Sequence, residues 1–162
     1  MLEAFSPTQA VEVFWSFDPT RRTDVADIIR SFDVWKNGLF SVRQLQDVPW
    51  YLDDNPQHVS RFLTSEGQRR SLRNVARRYR ESEEALAQRF PDFIGQIEAI
   101  CNKVKQGEKL PPLIIAKGRN PLKAWWLLDG VHRGLAYCVS LARGDVDEKY
   151  EISVMMGRRK LF

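Results

Sequence analysis

Apolar residues recur at helical spacing through the first part of the chain. Ala10, Val13, Phe14 and Phe17 fall at i, i+3, i+4 and i+7, and Val25, Ile28, Ile29 and Phe32 repeat the spacing, which predicts two amphipathic helices, each with one buried face. Ser6-Pro7-Thr8-Gln9 supplies the start of the first: a serine cap, a proline at the first helical position and a glutamine three residues beyond the cap. Asp18-Pro19 stops it, and Asn37-Gly38 marks the end of the second. Residues 1–38 are therefore expected to form an N-terminal helical extension that packs on the rest of the chain or on a partner. The period then changes. Leu39-Phe40-Ser41-Val42-Arg43 alternates as a strand, and Pro49, Asp53-Asp54-Asn55-Pro56 and Gly67 mark a long irregular connection.

Ser65-Glu66-Gly67-Gln68 is a second capping-box pattern, opening a helix that buries Leu72, Val75, Ala76 and Tyr79. A further helix is expected from about Ser82 to Gln106, kinked or broken at Pro91. Beyond Pro111-Pro112 come the apolar run Leu113-Ile114-Ile115-Ala116, a turn at Gly118-Arg119-Asn120-Pro121 and a second strand at Trp125-Trp126-Leu127-Leu128. Asp129-Gly130 leads into an apolar helix through Leu141, closed by Gly144, and Tyr150 to Met156 alternates as a last strand. The pattern predicts an α/β or α+β fold with a mixed sheet of about four strands flanked by helices, residues 39–162 forming the domain and residues 1–38 the extension.

Composition changes this picture little. A chain of 162 residues with 43% hydrophobic residues is one domain with enough apolar surface for a core. No apolar run nears the roughly 20 residues of a membrane helix, and the MLEAFSPTQ start lacks a signal-peptide pattern, so a soluble, cytoplasmic protein without membrane contact is expected. Charge changes it more. Five basic and nine acidic side chains lie in residues 1–55, against twenty and twelve in residues 56–162. The later part thus carries a basic surplus suited to phosphate-bearing partners. Cys101 and Cys138 stand apart with no ligand-like spacing, which argues for two buried thiols rather than a zinc site or a disulfide.

The strongest chemical signal is Asp129-Gly130-Val131-His132-Arg133 at a strand-to-helix junction. A glycine there permits a tight turn, and the free N–H groups of a first helical turn attract phosphate. Arg133 could hold two phosphate oxygens through its planar fork, and His132 could donate to a phosphate or move a proton near neutral pH. Asp129 could bind magnesium or accept a proton from a hydroxyl nucleophile. Read blandly, the aspartate only caps the helix and the arginine is solvated.

The segment from Pro111 to Met156, with its Pro-Pro-initiated strand, second strand and Gly-Val-His-Arg junction, resembles the ParB/sulfiredoxin superfamily. The resemblance implies a nucleotide phosphate site at Gly130, Val131, His132 and Arg133, and with Asp129 it points to branches similar to the free-serine kinases or the ParB-like nucleases. Residues 1–38 match nothing in that pattern. Sulfiredoxins place a catalytic cysteine before the His-Arg pair, where this chain has Val131, so sulfinic acid reduction is not expected. Nor does the Glu-Asn-x-x-Arg box and helix-turn-helix of chromosome-partitioning members follow the last strand.

Arg61, Arg69, Arg70, Arg73, Arg77, Arg78 and Arg80 form a second signal. Arg69, Arg70 and Arg73 are candidates for completing the phosphate site, and Arg69, Arg73, Arg77 and Arg80 share a helical stripe able to track a nucleic-acid backbone; paired with nearby glutamates, they are otherwise a solvated face. Trp125 and Trp126 are expected to point to opposite faces of their strand, His58 to be a loop histidine, Glu98 to face solvent, and the basic tail Gly157 to Phe162 to fray. No Walker loop, nucleophile elbow or H-E-x-x-H occurs. Two functions remain. The first is an enzyme that binds ATP or another nucleoside triphosphate with magnesium and transfers or hydrolyses a phosphoryl group through Asp129, His132 and Arg133. The second is a plasmid- or phage-associated protein, nuclease-like or DNA-binding, that uses the arginine helix and meets DNA or another protein.

Overall fold

The computed structural model of the chain describes residues 4–18, 20–64, 70–118 and 125–159. Among them the strands β1 (Ala4–Phe5), β2 (Val34–Ser41), β3 (Leu113–Lys117), β4 (Trp126–Asp129) and β5 (Glu151–Arg158) form one mixed sheet in the order β1-β2-β5-β3-β4. β5 runs antiparallel to β2 and parallel to β3, and β4 is antiparallel to β3. The fold class is the expected one. The strand beyond the expected four is β1, a two-residue edge on β2.

The sheet is the middle layer of three. Leu113 and Ile115 of β3, with Phe40, Ile152 and Val154, face one core, while Ile114 and Ala116, with Trp35 and Met155, face the other. Leu113 to Ala116 are all buried, because helices cover both faces and leave no polar side to the strand. The helices α1 (Pro7–Phe17) and α2 (Thr23–Arg30) cover the second face through Ala10, Val11, Phe14, Val25, Ala26 and Ile29. The first face carries α3 (Val42–Leu45), α4 (Val59–Phe62), α5 (Leu72–Glu81), α6 (Glu83–Arg89), α7 (Pro91–Lys105) and α8 (Val131–Arg143). Residues 1–38 thus supply part of the sheet and the covering of one of its faces, and position 38 lies inside β2.

Local signals account for most helix starts. Ser6 Oγ accepts from the Gln9 backbone N–H, and Gln9 Oε1 accepts from the Ser6 N–H, closing the capping box of α1. α5 begins at Ser71, whose hydroxyl accepts from Asn74; the box at Ser65 to Gln68 lies outside the described residues. The helix expected from Ser82 to Gln106 is two helices, α6 and α7, parted at Phe90 before Pro91. Asn37-Gly38 is a correction: the pair lies mid-strand, and α2 has already ended at Arg30. The glycine is held extended by pairing with Val154 of β5, and a Cβ there would meet only the flexible end of the Met156 side chain.

A polar cluster links four of the first-face helices. Arg143 of α8 donates to both carboxylate oxygens of Glu98 at 2.9 and 2.7 Å and to Glu83 at 2.8 Å, and the Tyr79 hydroxyl donates to Glu98 at 2.8 Å. Glu98, expected to face solvent, therefore ties α5 and α8 to α7, while Arg143 carries the link on to Glu83 of α6, and the Arg143 hydrogen bonds hold the Glu98 carboxyl below the usual range. Cys101 and Cys138 are free and buried, and burial pushes the Cys138 thiol up to about 12. Among the described residues no helix is long and apolar enough to cross a membrane.

A candidate anion site at the start of α8

β4 ends at Asp129, and one residue later α8 begins. The hinge is Gly130, in the left-handed region at φ 88°, ψ 27°. A side chain would be doubly unfavourable there: the conformation disfavours L-residues, and a Cβ would sit 2.6 Å from Leu113 Cδ2 and 2.9 Å from Arg133 Nη2. No side chain caps α8, so its leading N–H groups are not claimed by a capping oxygen. In front of them lies a cavity of about 540 Å³, in which Arg22, Tyr51 and Ile100 join the stretch Leu127 to Arg133.

Two guanidinium groups meet one carboxylate in its wall. Asp129 Oδ1 accepts from Arg22 Nη1 at 3.2 Å and Oδ2 from Arg133 Nη2 at 3.1 Å, with the Asp129 side chain 16% exposed. Arg133 Nη2 also donates to the Pro112 carbonyl at 3.2 Å, while its Nε is buried without a partner. Arg22 comes from the loop between α1 and α2. There the Asp18 carboxylate accepts from the Thr20 hydroxyl at 2.7 Å and from the Thr20 and Arg22 backbone N–H groups, each at 3.0 Å. The Thr20 hydroxyl leads in holding the Asp18 carboxyl below its ordinary range. Arg21, between them, takes φ 47°, uncommon for a residue with a side chain.

His132 turns toward α7, its ring edge-on to Phe93 at 5.3 Å. Burial, helped by the Arg133 charge, lowers its pKa below 6.5, so the imidazole is neutral at pH 7. The unfolded state then binds the proton more readily than the folded one. The stability contributed by this neutral ring is fully present above pH 6.5 and is lost as the pH falls from there through the depressed folded value. An NMR titration of the ring should give a midpoint below 6.5; a higher midpoint would contradict this placement.

A magnesium ion held by protein groups alone does not fit this donor set. Each oxygen of Asp129 faces a guanidinium, and among the described residues no three His, Cys, Asp or Glu side chains converge on one point. Asp129 is placed to orient arginines.

The arginines of α5 lie elsewhere. Arg73, Arg77 and Arg80 share a separate cavity of about 420 Å³ with Gln46, Glu81 and Cys138, which has no lining residue in common with the one at α8. Arg80 donates to the Ala142 carbonyl at 2.8 Å and Arg73 pairs with Asp47 at 3.8 Å. Arg70 is exposed and outside both linings, and Arg69 lies outside the described residues. The expected contribution of Arg70 and Arg73 to the phosphate site is therefore not seen. The second guanidinium beside Asp129 is that of Arg22, which periodicity alone could not single out; its local signal was a pair of arginines between two amphipathic segments. His58 caps α4, its Nδ1 accepting from the Ser60 N–H at 3.1 Å. Trp125 packs edge-on to Phe40, while Trp126 is exposed.

Scans of this chain against protein-family models, curated proteins and solved structures found no match.

Proposed function

We propose that the chain binds a nucleoside phosphate in the cavity at the start of α8 and serves phosphoryl transfer or hydrolysis there, in the manner the ParB/sulfiredoxin-like Asp-Gly-Val-His-Arg stretch implies. One observation carries this reading: the uncapped first turn of α8, reached through a left-handed glycine, opens on a cavity flanked by Arg22 and Arg133. Helix N–H groups and guanidinium groups both favour an oxyanion, and the helix dipole adds to them. At about 540 Å³ the cavity falls within the roughly 300–1,000 Å³ of small-molecule sites. Tyr51, Ile100 and Leu127 give it an apolar side for a base.

The chemistry assigned to the site follows from the same groups. The arginines offset charge developing on phosphoryl oxygens. His132, neutral near pH 7, is the group that can take a proton from a hydroxyl or a water. Asp129 keeps both arginines oriented.

A thermal-unfolding panel of nucleoside mono-, di- and triphosphates, with and without magnesium, tests the proposal. At a ligand concentration of 100 Kd the stabilisation should be about 2.7 kcal/mol, a rise in Tm of roughly 5–10 °C for a chain of this size. No rise with any nucleotide overturns it. If duplex DNA is instead retained with a steep salt dependence, the assignment moves to the exposed arginines of α5.

A further inference from the structure

We infer that Arg22 makes the main direct contact to the ligand's phosphate, with Arg133 adding charge from the wall behind it, so that the loop between α1 and α2 completes the site. This rests on the nucleotide reading above and specifies which cation reads the ligand.

The two arginines differ in what they are already doing. Arg133 is only 21% exposed, and its Nη2 is shared between Asp129 and the Pro112 carbonyl at the start of β3. It also lies against Gly130, close enough that a Cβ there would crowd both Nη2 and Cζ. Its guanidinium is thus folded over the hinge, joining the strand end to the helix start. Arg133 offsets the Asp129 charge and fixes the junction.

Arg22 is 48% exposed and lines the cavity. Its contacts are single ones, Nη1 to Asp129 at 3.2 Å and Nη2 to Asp24 at 3.3 Å, and the Asp24 side chain is 69% exposed. The pair with Asp24 is exposed and holds weakly, and Asp129 keeps Arg133 as a partner when Arg22 turns away. With Asp129 also paired to Arg133 and Asp24 largely in solvent, Arg22 is the guanidinium able to turn into the cavity, and a planar fork with five donors suits a phosphate better than two separate single contacts. The Asp18 carboxylate, holding the N–H of Arg22 and both donors of Thr20, fixes the backbone from which this side chain reaches across.

Wild type, Arg22→Ala, Arg22→Gln and Arg133→Ala are compared by thermal unfolding and by calorimetric titration with ATP, CTP, GTP and UTP. Without ligand, Arg22→Ala should melt within about 2–4 °C of wild type, as expected for the loss of exposed pairs. Its Kd for the nucleotide that stabilises the wild type should rise about 10- to 100-fold, the loss of a charge-assisted phosphate contact. Arg22→Gln, which retains much of the stem, should lose affinity similarly, so a folding defect in the alanine variant leaves the outcome decidable. Arg133→Ala should lower the ligand-free Tm more than Arg22→Ala does, yet keep a ligand-dependent rise. An unchanged Kd in both Arg22 variants overturns the assignment and leaves the nucleotide reading standing. Absence of any nucleotide effect on the wild type overturns both.

Discussion

Replacing Trp35 by alanine should lower the unfolding free energy by about 3–5 kcal/mol, the loss typical of a fully buried tryptophan. Trp35 is 0% exposed, sits in β2 opposite Gly157 of β5, and donates its indole N–H to the Ile29 carbonyl of α2 at 3.1 Å. One side chain therefore joins two central strands to the helix above them. Its ring occupies the space over Gly157, where a Cβ would lie 2.6 Å from two ring carbons. Removing the ring leaves a void under α2 and an Ile29 carbonyl without its indole partner, and the glycine cannot refill the space. Urea denaturation at constant pH measures the change. Trp126→Ala, at a 52% exposed position, should stay within about 0.5 kcal/mol of wild type. A loss below about 1 kcal/mol at Trp35 would mean that α1 and α2 do not rest on the sheet as described.

Gly130→Ala should cost about 2–5 kcal/mol and diminish the nucleotide-dependent rise in Tm. Two effects add: about 1–2 kcal/mol for a side chain in the left-handed region, and about 1–3 kcal/mol for overlap in a packed site, here with Leu113 and Arg133. Relief of the second shifts the first turn of α8, so the N–H groups that face the cavity move with it, an effect that Arg133→Ala does not produce. Gly144→Ala separates the two contributions. Gly144 has φ 79° with nothing within 4 Å of a Cβ, so only the backbone part applies there. Equal destabilisation at both positions, with ligand response intact at Gly130→Ala, would refute the close packing around the hinge.

Sequence alone reveals what short range determines. The capping box at Ser6 and Gln9, the break before Pro91 and the helix Val131–Arg143 closed by Gly144 all follow from residues within a turn or two of each other. So does the left-handed glycine between β4 and α8. What stays hidden depends on residues far apart. Arg22 meets Asp129 across 107 positions, and no periodicity connects a loop arginine to a strand end that distant. Asn37-Gly38 carries the composition of a turn, yet pairing with Val154 and Met155 of β5 keeps it extended. Ala4-Phe5 is too short to alternate and becomes a strand only because β2 offers it an edge. The arginines of α5 stand out by composition, but the direction in which that helix packs on α8 sends them to another cavity.

The strand order has a consequence for how the chain reaches this state. β2 and β3 do not touch, because β5 lies between them and pairs with both. As the polypeptide leaves the ribosome, β1 and β2 can pair early, and β3 and β4 can pair later, yet neither half has a place in a common sheet until residues 151–158 have emerged. Until then two unpaired edges, one along Val34–Ser41 and one along Leu113–Lys117, stay open to other chains. The insertion of β5 closes both at once, so the sheet that separates the two cores is completed only by contacts between residues far apart in the chain, which favours slow folding.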